Sequence, residues 1–97
     1  MIKQIDKVFK GRAEVKGVIF TQIKRKGMIC IYERSDNCFE VVKLREQKAR
    51  DIVLGGKKIS LIDKELYPTG EGWEGKCVNS LERAEEEFKK MIKYGEL

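Results

Sequence analysis

The residues best suited to chemistry in this chain are its cations. Lys24, Arg25 and Lys26 stand together, and Arg34, Lys43, Arg45, Lys48, Arg50, Lys57 and Lys58 follow at short intervals, with Phe20, Tyr32 and Phe39 among them. A sheet surface holds a single strand of nucleic acid when cations track the phosphates and rings stack on the bases, each stack contributing about 1–3 kcal/mol. On that reading the nucleic-acid-binding residues are Lys24, Arg25, Lys26, Tyr32, Arg34, Lys43, Arg45, Lys57 and Lys58. The same cations also suit a solvated surface whose lysines keep edge strands from pairing. Charge is unevenly placed: residues 1–60 hold fifteen Lys and Arg against seven Asp and Glu, and residues 61–97 hold six against nine. The basic part is the part that reads as sheet.

Catalysis is expected to be absent. The chain has no histidine, which removes the commonest general base, the commonest zinc or iron ligand and every Ser-His or Cys-His pair. Its acids are scattered or lie along one helical run, so no two carboxylates are marked out to converge for acid–base work. No metal and no cofactor are expected. Cys30, Cys38 and Cys77 are odd in number and widely spaced, which fits neither a disulfide framework nor a CxxC metal knuckle and suggests free thiols in a reducing compartment. Cys30, inside the apolar run MICIY, reads as a small buried hydrophobe. The run GGKK at 55–58 lacks the GxxxxGK[ST] spacing of a phosphate loop.

The elements that must position these residues read as α+β. Ninety-seven residues, 41% hydrophobic with a single proline, make one domain, because two halves would each be too small to bury a core. Residues 14–23, EVKGVIFTQI, read as a strand with Gly17 as a candidate bulge. KRKG supplies a turn, and MICIYER a second strand with Met28, Cys30 and Tyr32 on one face and Ile29 and Ile31 on the other. After the turn SDN, CFEVVKLRE is a third strand, with Phe39 and Val41 opposite Val42 and Leu44. Between 46 and 65 a short fourth strand, or two around Gly55-Gly56, competes with a helical turn over 46–53. Three to five antiparallel strands result. Residues 1–12 are expected to be a loosely held lead-in.

The clearest element is a C-terminal amphipathic helix over 79–94. Asn79 and Glu82 are spaced as a capping box, and Leu81, Ala84, Phe88, Met91 and Ile92 form one stripe. Glu85–Lys89 and Glu86–Lys90 are spaced to pair on the opposite side, and Gly95 to end the helix. One face of this helix is expected to lie on the sheet. Ahead of it, YPTGEGWEGKC reads as a hinge: Pro68 holds Tyr67 extended, Gly70, Gly72 and Gly75 permit sharp turns, and Trp73 either plugs the core or stands out as an anchor.

Tyr67, Pro68, Trp73, Gly75 and Ser80 through Ala84, following a three-stranded start, resemble a pattern in a group of small uncharacterised proteins encoded by bacteria and their phages. The resemblance spans residues 9–92 and implies a small β-rich domain with one C-terminal helix; it brings no activity and no site residues. In architecture alone, about four antiparallel strands and a helix are also similar to the repeat of Pur-type single-strand nucleic-acid-binding proteins, none of whose motifs is present. Two readings of function follow. One is a small cytoplasmic, non-enzymatic protein that binds single-stranded DNA or RNA through a basic sheet face. The other is an interaction module, an inhibitor or accessory factor that docks on a larger protein or on a second copy of itself, because one helix cannot cover both apolar faces. No run approaches the roughly 20 apolar residues that span a bilayer, and no membrane partner is expected.

Overall fold

A computed structural model describes residues 2–11, 15–68 and 75–95. Among these, the strands in chain order are β1 (Val8–Lys10), β2 (Ile19–Lys26), β3 (Ile29–Arg34), β4 (Cys38–Lys43), β5 (Arg45–Gln47), β6 (Arg50–Leu54), β7 (Lys57–Leu61), β8 (Lys64–Leu66) and β9 (Gly75–Val78), followed by the helix α1 (Leu81–Gly95). Antiparallel pairing joins five of them in the order β1-β2-β3-β4-β9. The α+β reading holds: one antiparallel sheet carries one C-terminal helix.

The run Ile29–Tyr32 sits in the middle strand and is buried throughout. Successive side chains of a strand point to opposite faces, so β3 feeds two cores. On one face Ile29, Ile31 and Val41 meet Ala84 and Phe88 of α1, with Phe39, Val78, Met91 and Ile92 around them. On the other, Phe20, Cys30, Tyr32, Val42 and Leu44 pack with Ile5, Phe9, Val15, Val18, Met28 and Tyr67. The face without the helix is therefore closed by the chain preceding β2 and by Tyr67. The lead-in segment is structured: β1 pairs with β2, Lys3 bridges to Lys64 in parallel, and the Lys3 and Glu65 amides donate to Asp63 and Lys3 carbonyls.

Strand boundaries shift from the sequence reading where turns decide them. Gly17 (φ 88°) lies in the turn before β2 rather than in a bulge. The bulge falls at Ile23, between the pairs Gln22↔Tyr32 and Lys24↔Ile31. Lys24, Arg25 and Lys26 belong to β2, so the turn is the two residues Gly27-Met28. Gly55 and Gly56, with φ of 58° and 79°, form a two-residue hairpin loop that L side chains resist.

No helical turn forms over 46–53. Strands β5 and β6 instead run against β8 and β7 in one register, from Arg45↔Leu66 through Arg50↔Leu61 to Leu54↔Lys57. At the gap between the two ladders side chains stand in: Gln47 Nε2 donates to the Ile62 carbonyl (2.8 Å) and the Ala49 amide to Asp63 Oδ1 (2.6 Å). The result is a β-ribbon whose distal half, β6-β7, contributes no residue to either core.

Helix α1 begins at Leu81, and its cap is Ser80, whose Oγ accepts from the Arg83 amide at 3.3 Å. Asn79 is thus one residue too early to cap, and Leu81, at the first helical position, is 45% exposed rather than buried. Glu85 reaches across to Lys24 (3.7 Å), and Lys90 pairs with Glu87 (3.5 Å). The helix runs through Gly95, one residue past the expected 94. Pro68 is fully buried, whereas the roles expected of Gly70, Gly72 and Trp73 lie outside the described residues. None of the described helices is long and apolar enough to cross a membrane.

Phe88 and Ala84 are the contacts that dock α1. Replacing Phe88 by alanine should cost about 3–5 kcal/mol, read as a lower urea midpoint, while Leu81→Ala should change it by less than about 0.5 kcal/mol. Equal effects from the two variants would contradict this docking.

Candidate functional site

The pleat and the Ile23 bulge decide where each candidate cation goes. Beyond the bulge, Lys24 and Lys26 pair with Ile31 and Ile29 and share their face, as does Lys43 opposite Ile29. All three therefore lie on the helix side, where Lys24 Nζ sits 5.3 Å from the Phe88 ring centroid and 3.7 Å from Glu85. Arg25 pairs with Cys30 and Arg34 with Cys38, on the opposite face. Arg45 is at the base of the ribbon and Lys57 and Lys58 at its tip, Lys58 3.5 Å from Asp51. The nine candidates do not share one surface. Tyr32 is 0% exposed, so it presents no ring to a base; Phe20 is buried with it.

The helix-free face carries instead a set of polar groups threaded through aromatic packing. Phe9 and Phe20 stack with centroids 5.0 Å apart, and Tyr32 and Tyr67 meet Phe9 edge-on at 5.2 and 5.3 Å. Tyr32 receives a bond from Gln22 Nε2 and donates to the Asp6 carbonyl, both 3.0 Å. Tyr67 donates to Glu40, a buried carboxylate. Arg34 Nη1 donates to the other Glu40 oxygen (2.7 Å), while Nε and Nη2 grip Asp36 in a fork (2.9 and 2.6 Å). Its guanidinium lies 5.5 Å from the Phe20 centroid. Arg25 makes a second fork to Glu65, which also accepts from the Ile5 amide (3.1 Å).

These pairings set the electrostatics. Arg25, chiefly through its hydrogen bonds, holds the Glu65 carboxyl below its ordinary value, and Arg34 does the same for Asp36. Burial pushes the Tyr32 phenol up to about 12 and the Cys30 thiol to about 11. Tyr67 is raised by burial and then by the Glu40 carboxylate, whose charge its own ionisation would repel. A general acid or base works best with a pKa near the operating pH, and these phenols and thiols are moved away from it. Four of the basic candidates, Lys24, Arg25, Arg34 and Lys58, already have carboxylate partners, and those of Arg25 and Arg34 are held in the polar cluster. The cluster satisfies itself. Among the described residues no three His, Cys, Asp or Glu side chains are grouped so that they could hold a metal ion.

Glu40 and Glu65 were missed as structural partners. A signal for Glu40 was present: it occupies the parity of Val42 in β4 and of Leu44 just beyond it, and a carboxylate on an apolar face needs a cation or donors. In comparisons with family models, with curated proteins and with solved structures, nothing matches this chain.

The apolar groups outside this cluster concentrate on the ribbon. In the register of β6 and β7, Ile52 lies opposite Ile59 and Leu54 opposite Lys57, with Arg50 and Leu61 also on that face. Val53 is 74% and Leu54 64% exposed, and Ile62 is exposed beyond the strand end. Asp51 and Ser60 on the reverse face are hydrogen-bonded at 2.8 Å.

The Glu65 fork has a pH signature. Its folded value lies below the ordinary 4.5, so its contribution is complete above about 4.5 and is lost as pH falls through the lowered folded value. Glu65→Gln should be less stable than the parent at pH 7, with the difference shrinking steadily below pH ~4.5. Urea midpoints across pH 2.5–7 measure it; a difference independent of pH would remove the ion pair from the account.

Proposed function

We propose that this chain is a non-catalytic binding protein that docks on a protein partner through the distal half of its ribbon, β6-β7. One observation carries the reading: Ile52, Leu54 and Ile59 share one face of a two-stranded hairpin, Val53 is exposed on the other, and none of them joins either core. A two-stranded hairpin is marginal in water and normally needs a third strand or a covering layer. Both outer edges of β6 and β7 remain outside any ladder among the described residues, so an extended segment of a partner can add to either edge while its side chains meet the apolar face. Arg50 and Lys57 flank that face and favour a partner with an acidic rim.

Nucleic acid stays as the second reading, moved from the sheet face to the same arm. Lys57 and Lys58 at the tip favour it, since the major groove of duplex DNA admits a two-stranded ribbon and a positive tip attracts phosphates of single strands as well. Buried Tyr32 has no part in this version.

The double variant Leu54→Glu/Ile59→Glu separates these cases, because neither residue supports a core. The protein-docking reading expects an unchanged melting temperature and a loss of at least about tenfold in captured partner from a lysate of the source cells, with or without nuclease. Capture abolished by nuclease, with anisotropy of labelled DNA or RNA falling steeply with salt, would favour nucleic acid. Equal capture by parent and variant removes the arm from function.

A further inference from the structure

We propose that Cys38 and Cys77 are a modification site: a low-molecular-weight disulfide converts them to an internal disulfide that staples the edge strand β9 to β4. The β4–β9 register, Phe39↔Val78 and Glu40↔Cys77, places Cys38 and Cys77 on one face as a diagonal pair. Diagonal neighbours on one face of an antiparallel pair lie about 7–8 Å apart, and the neighbouring Cys38 thiol is among the groups that push the Cys77 thiol up. Arg34, on the adjacent strand opposite Cys38, places Nη1 4.0 Å from Cys77 Sγ. Cys77 is exposed, Cys38 half-buried and Cys30 buried, so a small reagent has one thiol to enter by, one beside it to finish with, and one excluded. Bringing the two β-carbons to the roughly 3.5–4.5 Å that a disulfide requires means moving β9 by about 3 Å, and among the described residues β9 pairs with a strand on one side only.

The chemistry balances as two exchanges. The Cys77 thiol releases its proton to solvent, and the thiolate attacks one sulfur of the reagent R–S–S–R. That S–S bond breaks, R–S⁻ departs and takes up a proton, and Cys77–S–S–R remains. The Cys38 thiolate then attacks the Cys77 sulfur and expels the second R–S⁻. Two S–H bonds become one S–S bond, and the reagent is reduced to two thiols. Burial, followed by the charges of Cys38 and Glu40, pushes the Cys77 thiol up, with Arg34 opposing. Exchange therefore quickens as pH rises.

The staple would close the stretch of chain that contains the whole ribbon and would fix the strand from which α1 departs, constraining the unfolded chain. The test treats the reduced full chain with glutathione disulfide and maps thiols by alkylation and peptide mass. Expected are a Cys38–Cys77 cross-linked peptide within one chain, Cys30 alkylated only after denaturation, and a melting temperature higher by about 10 °C that reverts with dithiothreitol. Cys38→Ser should stop the reaction at a glutathione adduct on Cys77 with no such rise. A persistent adduct on Cys77 in the parent, cross-links only between two chains, or an internal bond to Cys30 would each overturn the proposal.

Discussion

The structure depends on β3 being apolar on both sides. Ile29, Cys30, Ile31 and Tyr32 are buried in succession, so a strand in the centre of a small sheet demands two covers from a chain with one helix among its described residues. Helix α1 supplies the first through Ala84 and Phe88. The second is assembled from pieces with little regular structure of their own: Ile5 and Phe9 from the N-terminal segment, Val15 and Val18 from the turn before β2, and Tyr67 at the end of the ribbon. A domain of this size can bury only about 60–65% of its unfolded surface, and it does so here by folding the N-terminal segment and the end of the ribbon between β4 and β9 back onto the sheet.

That second cover explains the polar cluster. Bringing Tyr67 and the β8 strand over the sheet also brings Glu65 under the Ile5 amide and Arg25, and brings the Tyr67 phenol to Glu40. Each carboxylate removed from water needs a partner, since an unpaired buried charge costs several kcal/mol. The Arg25 fork to Glu65 and the Arg34 bond to Glu40 satisfy that need, and the Arg25–Glu65 and Tyr67–Glu40 contacts tie the ribbon base to the sheet. Cations that look in sequence like a ligand-binding row are, in two cases, the counter-ions of the fold itself. The distal ribbon lies beyond this anchoring, and its apolar residues have no such internal use.

Much of the fold was legible. The alternation in MICIY and CFEVVKL assigned the two faces of β3 and β4 correctly, because a buried strand must place its side chains with period two. The stripe Ala84, Phe88, Met91 and Ile92 located the docked side of α1 for the same kind of reason at period 3.6, and Gly55-Gly56 named the hairpin loop. The capping residue was missed by one position, because Asn79 and Ser80 are both competent caps and only the path of the chain leaving β9 chooses between them.

The amino-acid sequence by itself therefore determined the classes of element, the apolar face of each strand and helix, and the absence of histidine from the chain. It did not determine which cations stand together. That was decided by the bulge at Ile23, which moves Lys24 to the helix side and Arg25 to the other, by Glu65, which captures Arg25 from a strand remote in sequence, and by Glu40, which captures Arg34 from the next strand. Nor could the period of the 46–65 stretch reveal that it leaves the sheet as a ribbon. Local pattern encodes which side of a strand is apolar, whereas the surface that side meets, or fails to meet, is set by contacts between segments far apart along the chain.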